Sequence, residues 1–219
     1  MNVFPQNIQD RKAILTEAYC AERARLNALS AADTPQGDYL HPVFGDGRVG
    51  AAVLLIGEAP GAEEALQGRP FVGKAGAQLH ALMALMHIDR DSIYITNVVK
   101  YRPVVRSERT VRNRTPGSRE VDAALPLLQQ EIAVLRPQWI VTLGNTPLHA
   151  LCRLAGIPTD TVGNLHGRPM PITVTACACT LFPMYHPASG IYNRALIDVM
   201  AQDAAALGEN LVKACQNCF

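Results

Sequence analysis

Four side chains in this sequence have the chemistry to hold a planar, hydrogen-bonding ligand. Glu58 lies between a glycine and Ala-Pro-Gly, so its carboxylate is carried on a bent backbone and can orient a water molecule or stabilise a developing cation. Phe71, in GRPFVG, can stack on a flat ring or simply pack as a plug. The Asn97 amide matches the edge of a nucleobase, and His186 can donate to a carbonyl oxygen that gains charge. Each of these residue types alone more often has a structural role. A ligand site is therefore predicted only if the fold brings the four side chains together.

Alternating strands and helices predict how they would meet. Apolar strands are predicted at 51–57, 92–99 and 139–144 and in the run CTLFPMYHPAS, and helices at about 6–32, 75–88, 118–138, 146–156 and 193–213. This order predicts an α/β fold: a three-layer α/β/α sandwich with a central four-stranded, mainly parallel sheet, in one domain over 1–219. Ligands bind at the carboxyl ends of such strands, and Glu58, Asn97 and His186 lie at three of those ends.

Composition excludes several classes of protein. The chain has 219 residues, of which 48% are apolar and 18% charged, which is typical of a globular protein and not of a disordered one. The sequence contains neither an apolar run long enough to span a membrane nor a secretory signal, so we expect a cytoplasmic protein without membrane attachment. The net charge of +1 gives no global attraction to nucleic acid.

The positive charge is concentrated in one segment. Between residues 100 and 119 there are seven basic residues and one acid, Glu108. A basic loop at about 100–117 on a neutral body is typical of a compact nucleic-acid footprint, but a solvated, mobile arginine-rich loop has the same charge. Charge alone leaves both readings open.

The six cysteines do not predict a metal site. They lack the paired short spacings of a zinc ribbon, and CQNC at 215–218 is a lone pair on a tail. Cys177 and Cys179 would share one face of a strand, as buried thiols commonly do.

Longer blocks of sequence resemble a known family. GEAPGAEEALQGRPFVGKAG, YITNVVKYRP, NRTPGSREV, PQWIVTLGNTPLHAL, LHGRP and YHPAS occur in this order over about 51–194. They resemble the family 4 branch of the uracil-DNA glycosylase superfamily. The resemblance implies a monomeric hydrolase that cuts the N-glycosidic bond of uracil in DNA, the first step of base excision repair.

The resemblance also implies a role for individual residues. Glu58 would position the water or stabilise the sugar cation, Phe71 would stack on the flipped uracil, Asn97 would read its edge, and His186 would lie next to O2. Glu64 matches a second motif acid. The backbone around the scissile bond would come from Gly57, Ala59, Pro60 and Gly61. We expect contacts to the DNA backbone from Lys100, Arg102, Arg112, Arg114, Ser189 and Arg194, and the loop PASGIYNR would press into the DNA.

The sequence departs from the family at its cofactor. Family 4 members usually carry a four-cysteine iron–sulfur cluster, yet here Cys20 stands alone near the N-terminus, Tyr101 occupies the third cysteine position and Ala124 lies at or near the fourth. Because a cluster needs thiolates at nearly all its corners, we predict that none is bound and that apolar packing around Tyr101 and Leu125 replaces it.

Two further departures leave alternatives open. Ala62 and Ala65 stand where family members often have acids. Asn113 stands nearest to the position where a related branch captures the sugar with histidine, so we predict turnover without a trapped adduct. The alternatives are a superfamily glycosylase for hypoxanthine, xanthine or a damaged pyrimidine, or a DNA-binding accessory protein with little activity.

Overall fold

The structure is a computed structural model that describes residues 7–30 and 37–216. In chain order, its elements are α1 (Ile8–Ser30), β1 (Gly37–Asp38), β2 (Asp46–Gly47), β3 (Val53–Gly57), α2 (Ala62–Gln67), α3 (Lys74–Leu85), β4 (Tyr94–Asn97), β5 (Arg102–Arg106), β6 (Val111–Asn113), α4 (Ser118–Leu135), β7 (Trp139–Leu143), α5 (Asn145–Ala155), α6 (Val162–Leu165), β8 (Met170–Val174), β9 (Cys177–Met184), α7 (Ser189–Tyr192) and α8 (Ala195–Gln216). None of the helices within these ranges is long and apolar enough to cross a membrane.

The main sheet has the strand order β2-β4-β3-β7-β9-β8. Its four central strands are parallel, which confirms the predicted α/β fold, while β2 and β8 pair antiparallel at the two edges. The predicted number of four strands was therefore wrong. The two-residue β2 is too short to leave a periodic pattern, and β8 (MPITV) contains a proline, which weakens its pattern as a strand.

Helices cover both faces of this sheet and close the core. On one face, α1, α4 and α5 pack through residues such as Leu26, Ile132 and Leu151. On the other face, α3 and α8 contribute Leu79 and Leu207 to a second apolar cluster. Every residue of β3 and β7 is buried, as expected for strands covered on both sides.

The helix limits differ from the predicted ones in detail. The predicted N-terminal helix at 6–32 is observed as α1, and residues 6, 31 and 32 lie outside the described ranges. Gly117 is the N-cap of α4, and its N–H donates to the Glu120 carboxylate at 2.8 Å. Pro126 lies inside α4 without ending it.

The basic segment is not a mobile loop in this structure. β5 and β6 form an antiparallel hairpin, and β1 pairs with the other side of β5 to give a small three-stranded sheet. At the tip, the Ser107 N–H donates to the carbonyl of Thr110 at 2.9 Å. The hairpin therefore holds its exposed arginines on an ordered scaffold.

An aromatic pair occupies the region where the family resemblance would place cluster cysteines. The ring of Tyr101 packs against that of Tyr39 with centroids 4.5 Å apart, and its hydroxyl donates to Glu120 at 2.6 Å. Ala124 is buried, and Leu125 packs on the same core. The packing predicted around Tyr101 and Leu125 is thus present, with a polar anchor that the sequence did not reveal.

Candidate active site

The carboxyl ends of the four parallel strands open into one cavity of about 960 Å³. Asn97 ends β4, Glu58 follows β3, Gly144 follows β7 and His186 comes two residues after β9. These strands are consecutive neighbours in the sheet. The cavity lining includes Glu58, Phe71, Asn97 and His186, so the structure brings the four candidate side chains together.

Two of these side chains, those of Asn97 and Phe71, lie against Gly57. Gly57 pairs with Asn97 in the β3–β4 register. A Cβ atom on Gly57 would lie 2.3 Å from the Asn97 Oδ1 atom and 2.7 Å from the Phe71 Cζ atom, both far inside van der Waals contact. Glycine is therefore required here for space, because any side chain would displace the amide or the ring.

Phe71 is held in an unusual backbone conformation. Its φ is 56°, in the left-handed region that non-glycine residues rarely occupy. Gly76 permits this arrangement, since a Cβ atom there would lie 2.0 Å from the Phe71 carbonyl oxygen. The Phe71 ring lies 6.0 Å from the His186 ring, centroid to centroid, so the phenyl group faces the cavity beside the imidazole. Strain of this kind is often found at ligand-binding positions.

Glu58 is oriented by a residue that the sequence reading missed. The Thr146 hydroxyl donates to the Glu58 Oε2 atom at 2.6 Å, and both residues line the cavity. Thr146 lies in the first turn of α5, three residues after the end of β7, so the position of GNTP directly after a buried strand was the available signal. One carboxylate oxygen is thus fixed by Thr146, which sets the direction of the other.

His186 is arranged as a neutral hydrogen-bond donor. The Ala188 N–H donates to His186 Nδ1 at 3.2 Å, which leaves the proton of the neutral imidazole on Nε2. Burial lowers the pKa of His186, and the charge of Glu64 opposes this only in part. At neutral pH the ring therefore offers an Nε2–H donor without carrying a positive charge.

Glu64, predicted to be a catalytic residue, lines the cavity and also accepts hydrogen bonds from the backbone. Its Oε2 atom accepts the Gly61 N–H at 3.1 Å, and its Oε1 atom accepts the N–H groups of Val72 and Gly73 at 3.1 and 2.8 Å. The carboxylate thus ties the start of α2 to the loop that carries Phe71. Glu64 therefore positions the Phe71 loop. It lies three residues after the N-cap Gly61, which is the spacing of a capping box and can be read from the sequence.

The expectation that Lys100 binds the DNA backbone was wrong. Lys100 is 1% exposed and its ammonium group pairs with Glu131 at 2.6 Å in the interior. A phosphate cannot reach it. Lys100 lies next to the arginine-rich segment in the sequence. Charge alone does not distinguish a buried cation from an exposed one.

The other predicted phosphate contacts differ in their exposure and in their hydrogen-bond partners. Arg112 and Arg194 are exposed. The Arg102 Nε–H donates to Asn113 Oδ1 at 2.6 Å, and Arg114 pairs with Glu120. Lining the cavity are also Ala59, Pro60, Gly61, Asn113, Arg114 and Ser189.

The thiols within the described ranges do not offer a cluster site. Cys20 is exposed, and Cys152, Cys177 and Cys179 are buried as free thiols. Burial raises the pKa of Cys179 to about 12, which opposes formation of the thiolate that a metal needs. Residues 7–30 and 37–216 contain no group of three or more His, Cys, Asp or Glu side chains placed to hold a metal ion. The four described thiols therefore do not fit an iron–sulfur cluster, and the side chain of Cys215 and residue Cys218 lie outside this description.

Comparison with known proteins identifies the family of this chain. A family model described as the uracil DNA glycosylase superfamily matches residues 44–206. The chain is 37% identical to a type-4 uracil-DNA glycosylase of Pyrobaculum aerophilum over 163 residues, which are 74% of this chain and 80% of that protein. It is 34% identical to the type-4 enzyme of Saccharolobus solfataricus over 170 residues (77% and 76%) and 33% identical to that of Sulfurisphaera tokodaii over 168 residues (76% and 73%).

Proposed function

Because the chain belongs to the uracil DNA glycosylase superfamily, we propose that it hydrolyses the N-glycosidic bond of uracil in DNA. The observation that supports this proposal best is that the side chains of Asn97 and Phe71 both lie against Gly57. They do so in the cavity that also contains Glu58 and His186. An amide at the edge of a slot and a ring on its face are what a pyrimidine requires. All four side chains come from one chain, so a monomer suffices for the reaction. The proposal places this monomer in the cytoplasm.

Binding begins with extrusion of the base from the DNA. Unstacking costs a few kcal/mol, and stacking on Phe71 returns roughly 1–3 kcal/mol of it. The side-by-side donor and acceptor of Asn97 match O4 and N3–H of uracil, whereas cytosine presents the opposite pattern at those two positions. The loop that carries Glu58 is held by the Val98 and Val99 N–H groups after β4, and the loop that carries Phe71 is held by Glu64, so the slot exists before the base enters it.

Bond cleavage separates charge. The bonding electron pair leaves with uracil as an anion, and the Nε2–H of His186 stabilises the negative charge on O2. The sugar becomes cation-like at C1′, where Glu58 stabilises the positive charge and accepts the proton of the attacking water. The products are free uracil and an abasic site in the DNA.

A panel of DNA substrates tests the proposed function. Single- and double-stranded oligonucleotides that contain uracil, hypoxanthine, xanthine or thymine are incubated with the protein, and abasic sites are cleaved with alkali. We expect strand cleavage on uracil. Cleavage on hypoxanthine or xanthine but not on uracil would instead support a superfamily glycosylase for those bases, and binding without cleavage on any base would support an accessory protein.

We also propose that the enzyme works without an iron–sulfur cluster. The support is the Tyr39–Tyr101 pair at one cluster position and the buried Ala124 at another. We expect the protein purified under anaerobic conditions to contain far less than one iron per chain and to show no visible absorbance while it releases uracil. A brown protein with stoichiometric iron would contradict this proposal.

A further inference from the structure

A buried ion pair lies directly beneath the uracil-reading strand. Lys100 and Glu131 pair at 2.6 Å, and both side chains are completely buried. Ion pairs in the interior contribute little net stability, because the cost of removing both charges from water offsets their attraction. The location of this pair therefore needs an explanation other than stability.

The Lys100 ammonium group uses all three of its donors. It donates to Glu131 Oε2 at 2.6 Å, to Thr96 Oγ1 at 2.7 Å and to the backbone carbonyl of Asn97 at 2.5 Å. Lys100 thus clamps the last two residues of β4, one of which carries the amide that faces the cavity. Glu131, on α4, holds the ammonium group from the opposite side.

The same turn also fixes the loop that carries Glu58. The Val98 N–H donates to the carbonyl of Gly57 at 2.9 Å, and the Val99 N–H donates to the carbonyl of Glu58 at 3.0 Å. Residues 97–100 therefore couple the ends of β3 and β4. A shift of the Asn97 carbonyl would move the amide and these two hydrogen bonds together.

A hydroxyl network holds Glu131 in place. Its Oε1 atom accepts from Tyr19 at 2.6 Å and from Thr96 at 3.0 Å, and the Tyr19 and Tyr94 hydroxyls are 2.9 Å apart. Burial lowers the pKa of Lys100, while the adjacent Glu131 charge opposes that change. The carboxylate is thus anchored by Tyr19 of α1, by Thr96 of β4 and by Lys100.

Building on the proposed function, we propose that Lys100, paired with Glu131, is a positioning residue for uracil recognition. It holds the Asn97 backbone so that the side-chain amide meets the pyrimidine edge. Lys100 does not touch the base, and its effect is transmitted through Asn97.

Two paired variants remove the ammonium group without leaving an unpaired buried charge. In Lys100→Met/Glu131→Met both charges are replaced by apolar side chains. In Lys100→Met/Glu131→Gln the amide oxygen still accepts from Tyr19 and Thr96. We expect the thermal midpoint to stay close to that of the wild type in at least one of them, and that variant decides the test.

The readouts are the single-turnover rate of uracil release and the inhibition constant of free uracil. In the folded variant we expect an inhibition constant raised about tenfold and a rate lowered to a similar extent, as when one hydrogen bond to the base is weakened. In an Asn97→Ala background the same substitutions should have almost no further effect on the inhibition constant, because Lys100 acts through Asn97.

Arg153→Met/Asp122→Met is the matched control. It removes an exposed ion pair between α5 and α4 whose partners do not line the cavity, so it should leave the inhibition constant of uracil unchanged. An unchanged inhibition constant in the folded paired variant, or additive effects in the Asn97→Ala background, would overturn the proposal. If the wild type releases no uracil, the proposed function fails and this inference fails with it.

Discussion

Glu58→Gln should slow the release of uracil by about 100-fold or more, the range expected for loss of a carboxylate that stabilises a cation and accepts a proton. Glutamine has nearly the same shape, and its amide oxygen can still accept the Thr146 hydroxyl that holds Glu58 Oε2 at 2.6 Å. The substitution therefore removes charge and basicity but not the geometry. The measurement is the single-turnover rate on uracil-containing DNA with enzyme in excess.

The control for this substitution is Glu209→Gln, the same chemical change on an exposed side chain of α8. Both variants should bind uracil-containing DNA and unfold at nearly the wild-type temperature. Thr146→Val should give a smaller loss than Glu58→Gln, because it frees the carboxylate without removing it. A Glu58→Gln rate within threefold of wild type would show that the carboxylate is not needed for bond cleavage.

The main site residues could be predicted because the sequence shows where buried strands end. An apolar run that stops at a glycine or a polar residue indicates both a buried parallel strand and the edge at which its loop opens. Glu58, Asn97 and His186 follow such runs, and the structure places all three around one cavity. Phe71 could be proposed because it lies among glycine and proline, although its positive φ could not.

The errors have a common physical origin in long-range partners. Lys100 pairs with a carboxylate 31 positions later, on a helix, and nothing near Lys100 in the sequence reports that contact. Glu64 was matched to a family motif, but its hydrogen bonds from the N–H groups of Val72 and Gly73 join segments that nothing in the sequence pairs. The β5–β6 hairpin was missed because its short valine-containing strands are interrupted by arginines.

These errors also change where the positive charge of the site lies. With Lys100 buried and Arg114 paired with Glu120, Lys74 on α3 is an exposed cation that lines the cavity, and further exposed arginines are carried by the hairpin and by the segment before α8. Arg112 lies on the exposed strand β6, whose last residue, Asn113, lines the cavity. The hairpin therefore places the exposed Arg112 next to a residue that lines the cavity.

Gly57→Ala should abolish most of the activity, by about 100-fold or more, through space alone. The added methyl group would lie 2.3 Å from Asn97 Oδ1 and 2.7 Å from Phe71 Cζ, so the amide, the ring or both must leave the positions that form the slot. Misplacing binding groups by about 1 Å is enough for a loss of this size. The φ of Gly57 lies outside the left-handed region, so backbone strain does not contribute.

Gly163→Ala is the matched control, because it adds the same methyl group where the nearest atom, the Tyr185 hydroxyl oxygen, is 3.5 Å away. Gly163 also lacks a positive φ, so the two variants differ in space and not in backbone strain. Uracil release and the thermal midpoint are measured for both, and Gly163→Ala should behave as the wild type. Activity of folded Gly57→Ala within a few fold of wild type would mean that the base does not bind between Asn97 and Phe71, because no pyrimidine slot can tolerate a methyl group in contact with both of its recognition groups.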